Sequence, residues 1–159
     1  MSTSKKSDID TISNALNQSK IDWQQVLSLV ISRYNCSTGT LHFLDKNTNL
    51  LKIEVHQGIP EFLVPKLSEI PIGKGMAGIA AERREVVEMC NLQTDTSGVA
   101  RPAAKETKVE GSIAAPLIFE GVLYGTIGIA KPVSYNFTLE ERNGLLKIGE
   151  EISSVRSQN

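Results

Sequence analysis

The sequence predicts an α+β fold: one antiparallel sheet, with helices at both chain ends covering one of its faces. Three observations carry this. Long helical periodicities sit at the two ends of the chain, over 8–34 and from Phe137 onward. Strand-like segments cluster between them without regular β-α-β alternation. The clearest of these, "GSIAAPLIFEGVLYGTIGIAK" at 111–131, is two apolar runs around a turn at Gly121, which is a hairpin.

The elements follow in order. Ile9, Ile12, Leu16, then Trp23, Val26, Leu27, Val30, Ile31 and Tyr34 recur at three- and four-residue steps, with Asp8 or Asp10 as the cap. "NQSK" at 17–20 interrupts the pattern and marks a bend or a split into two helices. "TGTLHFLD" (38–45) and "LLKIEVHQG" (50–58) read as a hairpin around "KNTN". In the second strand Leu51, Ile53 and Val55 alternate with Lys52, Glu54 and His56, which predicts one buried face and one wet face. "PEFLVPKL" (60–67) is a short helix or turn, "EIPI" a very short strand, 73–84 a loop entering a short helix, and "EVVEM" a short strand. Residues 91–110 read as a long polar irregular loop, the kind that tends to be functional or mobile. In the strong hairpin, parity places Leu123, Gly125, Ile127 and Ile129 on one face and Val122, Tyr124, Thr126 and Gly128 on the other. Pro116 within a strand points to a bulge or an edge position. Thr138 and Glu141 have capping-box spacing at the start of the last helix, where Leu145, Ile148, Ile152 and Val155 form a narrow apolar seam.

Length and composition bound the function. The 159 residues suit a single domain, taken as 8–157 after a short flexible leader at 1–7. Net charge is −1, from 17 basic and 18 acidic residues, with no basic patch, so no nucleic-acid partner is expected. No apolar run approaches the roughly 20 residues of a membrane span, and no apolar stretch follows the first lysines. A cytoplasmic chain with no membrane partner is the expectation. Cys36 and Cys90 stand 54 positions apart, which is neither a disulfide framework nor a metal-ligand pattern.

Gly73, Gly75 and Gly78 have the G-x-G-x-x-G spacing of dinucleotide-binding loops. The context is wrong for that role. The preceding strand is at most "EIPI", broken by Pro71, and too few residues follow Gly78 for a crossover helix. The glycines are better read as structural: Gly73 and Gly75 allow a tight strand-to-helix turn, and Gly78 lets the helix pack close to the sheet.

"IPIGKGMAGIAAERREVVEMCNLQTD", "GSIAAPLIFEGVLYGTIGIA" and "FTLEERNGLLKIGEEIS", in this order and spacing, resemble the GAF domain family over roughly 20–157. The resemblance implies a six-stranded antiparallel sheet, with the first and last helices on one face. Short helices and the long loop would roof a ligand pocket on the other. It implies a sensory or regulatory domain in signal transduction, binding a small molecule and acting through a signalling partner or output domain. It also implies a homodimer through the terminal helices, for which the Leu145–Val155 seam is one candidate; packing on the domain's own sheet is the other.

The expected pocket residues are Cys90, Asn91, Asp95, Thr96, Arg101 and Lys105 from the loop, with Ser112, Ala114, Tyr124 and Thr126 from the sheet. Arg101 and Lys105 suit an anionic ligand, and small sheet residues leave room for it. The ligand, and any cofactor, stay unidentified at this level. No Asn-Lys dipeptide of the cyclic-nucleotide-binding members is present, and neither cysteine adjoins a histidine as in bilin-binding members. His42 is a conceivable haem or iron ligand, with a satisfied strand histidine as the alternative. A free methionine-(R)-sulfoxide reductase needs an attacking thiolate and a resolving thiol, and 101–115 hold no cysteine. No catalytic constellation and no metal site stand out, so a non-enzymatic domain is expected, with that reductase or a ligand-free interaction module as rivals.

Overall fold

The computed structural model describes residues 10–158; the expected leader and the cap at Asp8 lie outside them. The chain forms a helix over 10–16 (α1) and then α2 (Trp23–Arg33), so "NQSK" does divide the first helical stretch. Asp22 starts α2, its carboxylate accepting the Gln25 N–H at 3.1 Å. Six strands follow: β1 (Thr38–Asp45), β2 (Leu50–Gln57), β3 (Glu69–Pro71), β4 (Val87–Met89), β5 (Ser112–Phe119) and β6 (Val122–Ala130). They form one antiparallel sheet in the order β3-β2-β1-β6-β5-β4. Short helices lie between the strands: α3 (Val64–Leu67), α4 (Gly75–Arg83) and α5 (Pro102–Glu106). The chain closes with α6 (Leu139–Arg156), which begins with the capping box of Thr138 and Glu141.

Helices α1, α2 and α6 cover one face. Their buried Leu16, Leu27, Ile31, Leu145 and Ile152 pack on Leu41, Phe43, Ile113, Leu117 and Ile127 of the central strands. Each such side chain contributes about 1.5–3 kcal/mol on burial. The Leu145, Ile148 and Ile152 seam belongs to this core, with Val155 half-buried against it. The seam therefore packs on the domain's own sheet. A second, smaller cluster lies on the opposite face, where Leu51, Ile70 and Leu123 pack with Ala81 of α4.

Two bulges change which side chains face which layer. Opposite Leu41 and His42, β2 pairs through Val55 and Ile53, and Glu54 is left over. The extra residue breaks the alternation: Leu51 joins the smaller cluster, whereas Val55 packs on the helix side. The expected single buried face of β2 is thus divided between two layers. In β6, Gly125 pairs Leu117 and Leu123 pairs Ile118, leaving Tyr124 over. Leu123 consequently faces α4, against the expected parity, and Tyr124 packs on the helix side. Pro116 is as expected near a bulge and a local edge, since β4 pairs only with Ser112, Ile113 and Ala114.

The glycine turn is structural. Gly73 and Gly75 have φ of +90° and +68°, the left-handed region that glycine enters freely. A Cβ on Gly78 would stand 2.4 Å from the Pro71 carbonyl oxygen, so only glycine lets α4 lie this close to β3.

Candidate functional site

The face opposite the long helices holds a cavity of about 140 Å³. Its floor comes from the even-numbered residues of β1, β6 and β5. Thr40 pairs with Gly128, and Gly128 with Ala114; Thr38 pairs with Ala130, and Ala130 with Ser112. These are small side chains on the same face, so the floor is low and space remains above it. The roof is the first turn of α4, the Leu92 turn, Arg101 with α5, and Thr107 and Val109.

His42 is the most buried polar group of the floor, only 1% exposed. Its Nε2 lies 2.8 Å from the Leu67 carbonyl oxygen. A carbonyl only accepts, so this nitrogen carries the proton and Nδ1 presents a lone pair. Burial pushes the His42 pKa below its usual value, outweighing the Leu67 carbonyl that favours the charged form. Nδ1 has no hydrogen-bond partner in the protein, nor has Oγ1 of Thr126, the residue paired with His42 on β6. Unpaired polar atoms at such depth are unusual, because each forfeits its bonds to water.

Of the expected loop residues, only Arg101 lines the cavity. Its stem passes over the start of α4: a Cβ on Gly75 would stand 2.9 Å from Arg101 Cδ. Its Nη1 is buried and unpartnered. The other loop residues shape the loop itself. Asn91 accepts from the Gln93 N–H at 3.0 Å and donates to Ser134 and Glu110. Asp95 accepts from the Ser97 hydroxyl at 2.6 Å and from the N–H groups of Ser97 and Ala100. These bonds, the Ser97 hydroxyl first, hold its carboxyl below the usual range. Lys105 Nζ donates to the Asp95 carbonyl at 2.7 Å, and Thr96 is exposed. The segment is thus no irregular loop throughout: Leu92–Thr94 is a 3-10 turn and Pro102–Glu106 a helix.

From the sheet, Ser112 and Ala114 line the cavity as expected, and Thr126 lies on the same sheet face beside His42. Tyr124 does not; the bulge turns it to the helix side, where Lys46 stands over its ring. Cys90 is exposed and Cys36 is half-buried against the helical core, and neither lines the cavity. Burial pushes the Cys36 thiol up to about 11. Among the described residues no group of three or more His, Cys, Asp or Glu could hold a metal ion. Thr38, Thr40, Lys74 and Met76 were missed as lining residues. The first two had a signal: with His42 they form a polar alternation along β1, opposite Leu41 and Phe43.

The sequence profile of the GAF domain matches residues 23–155, and the chain belongs to that family, which is common in signalling and sensory proteins. No curated protein matches the sequence. Solved structures similar to this fold include the GAF domain of an Acinetobacter phosphoenolpyruvate-protein phosphotransferase, with 15% identity and a TM-score of 0.81 over 99% of this chain and 95% of that one. The GAF domain of the corresponding Coxiella burnetii enzyme has 23% identity and a TM-score of 0.74 over 97% and 95%. The free methionine-R-sulfoxide reductase of Neisseria meningitidis has 13% identity and a TM-score of 0.78 over 96% and 88%. At such identities the likeness is one of fold.

Proposed function

We propose that this GAF domain is a sensory module that binds a small molecule in the cavity between the sheet and α4, and passes its occupancy to a signalling partner. The observation that carries this is the cavity itself: about 140 Å³ over a floor of small residues, roofed by the start of α4 and Arg101. A ligand there would fill the space. Native mass spectrometry of the purified chain, followed by a thermal-shift screen of metabolites, tests the reading. A ligand at 100 times its Kd raises stability by about 2.7 kcal/mol. Failure of every compound to bind or shift the melting temperature favours an interaction module without a ligand.

The sulfoxide reductase reading draws on the Neisseria neighbour. Against it stands the placement of the thiols: such chemistry needs a thiolate at the substrate and a second thiol in reach, and both cysteines lie away from the cavity lining. Turnover of free methionine sulfoxide that Cys90→Ser abolishes would reverse this conclusion.

A further inference from the structure

We infer that the cavity selects a small uncharged molecule with a largely apolar body, resting on Gly128 and hydrogen-bonded to Thr40, and that Gly128 sets the size accepted. This rests on reading the cavity as a ligand site and names the class of its ligand.

Accessibility gives the first argument. β1 and β6 are the two middle strands of the sheet, and Thr40 on one pairs with Gly128 on the other. Positions at the centre of a close-packed domain are ordinarily sealed. Thr40 and Gly128 are only half-buried, and both line the cavity, so open space reaches the middle of the floor. A Cβ built on Gly128 would lie 3.7 Å from Thr40 Oγ1 and 3.7 Å from the Ile113 carbonyl oxygen, both ordinary contacts. Gly128 is also outside the left-handed region. Neither crowding nor backbone strain requires glycine here, in contrast to Gly78. What the missing side chain leaves is room.

Hydrogen bonding gives the second. Among the hydroxyls of the lining, Ser112 donates to the Glu110 carbonyl at 3.2 Å and Thr107 to the Ala104 carbonyl at 2.5 Å. Those of Thr38 and Thr40 have no hydrogen-bond partner among the described residues. The Thr40 hydroxyl, unlike His42 Nδ1 and Thr126 Oγ1, is not sealed off by protein atoms. It stands on the Gly128 side of its strand, within reach of a molecule lying over that glycine. A hydroxyl donates and accepts without carrying charge, and so matches a hydroxyl or a carbonyl of the ligand.

Walls and size give the third. Ile70, Met76, Leu92, Val109, Ala114 and Ala130 surround the space, and no Asp or Glu lines it. A charged ligand would lose its hydration against such walls. Lys74 borders the cavity but is exposed, and Arg101 lies over Gly75 with its Cγ and Cδ, the apolar part of its stem. The volume of about 140 Å³ is close to the roughly 150 Å³ cavity that accepts benzene. It fits a molecule of about six or seven heavy atoms.

NMR titration of the full chain with phenol, cyclohexanone, toluene, pentanoate and 1-naphthol tests the inference. Phenol or cyclohexanone is expected to bind about 2- to 10-fold more tightly than toluene, the range of one neutral hydrogen bond. Pentanoate should be weaker than all three, and 1-naphthol should be excluded. Gly128→Ala should weaken phenol, cyclohexanone and toluene about tenfold or more, as overfilling a packed space does. The melting temperature of the empty variant should hold or rise, because alanine restricts the unfolded chain. Thr40→Val should abolish the preference over toluene and leave toluene binding in place. If Gly128→Ala does not fold, Thr40→Val and the probe series decide. Toluene matching both oxygen compounds, or unchanged affinities in Gly128→Ala, overturns the inference. Pentanoate as the tightest probe overturns it in favour of an anion. No probe bound, with a different molecule found in the cavity, overturns this ligand class and leaves the ligand site standing. No ligand of any kind overturns both.

Discussion

His42 on β1 donates to the carbonyl of Leu67, the last residue of α3, at 2.8 Å. One side chain therefore ties the central sheet to α3.

Burial of His42 makes stability depend on pH. Burial holds the folded His42 pKa below the ordinary 6.5 that the unfolded chain recovers. A depressed folded value means the unfolded state binds the proton first as pH falls. Stability is full above pH 6.5 and declines as pH drops toward the folded pKa, by up to about 1.4 kcal/mol per pH unit. Urea midpoints from about pH 7.5 to about 5 should show this slope, above the range where carboxylates titrate. His42→Gln should flatten it.

Gly78→Ala should destabilise by about 3 kcal/mol, in the range of severe steric substitutions. The added methyl would meet backbone, the Pro71 carbonyl oxygen at 2.4 Å, which has no side-chain freedom to retreat. Gly98→Ala is the contrast: its φ is +84° but nothing stands within 4 Å, so the loss should be about 1 kcal/mol. Chemical denaturation of the two variants distinguishes close packing from backbone strain.

Lys131 Nζ, at the end of β6, donates to the carbonyls of Tyr34 and Asn35 at 2.6 and 3.1 Å. It satisfies orphan carbonyls at the C-terminus of α2 and complements the negative end of that helix. It also stands 4.5 Å from the centre of the Tyr135 ring. Lys131→Met should lower stability by about 2 kcal/mol, through lost charge-assisted bonds at a buried position. Loss of amide protection at the end of α2, read by hydrogen exchange, locates the effect.

The two thiols should separate by reactivity. Cys90 is exposed, whereas Cys36 is half-buried and its thiol is pushed up to about 11, chiefly by burial. The folded protein should release one equivalent of thionitrobenzoate quickly, and the second only on unfolding. Cys90→Ser should remove the fast phase alone.

Much of the fold was legible because it rests on local signals. The bounds of β1, the turn at Glu120 and Gly121, the capping box and the split of the first helix were all written in nearby residues. The GAF resemblance rested on three such blocks. What single-strand patterns could not carry were the bulges at Glu54 and Tyr124. A bulge exists only relative to the neighbouring strand, and each one reverses the facing of the residues beyond it. That is why Tyr124 was expected in the pocket and lies on the helix side.

The site divides in the same way. Small residues on β5 and β6 and a polar alternation on β1 were properties of the sequence. Which members of the 91–110 segment turn inward was not. Asn91 accepts from the Gln93 N–H, Asp95 from the Ala100 N–H, and Lys105 donates to the Asp95 carbonyl, while Arg101 reaches across to Gly75. The sequence by itself determined the family, the order of elements and the close-packed glycine turn, since these depend on short-range sterics and periodicity. Only the tertiary structure decided that Arg101, the start of α4 and His42 surround one cavity, because contacts between residues far apart in the chain follow from how the layers pack.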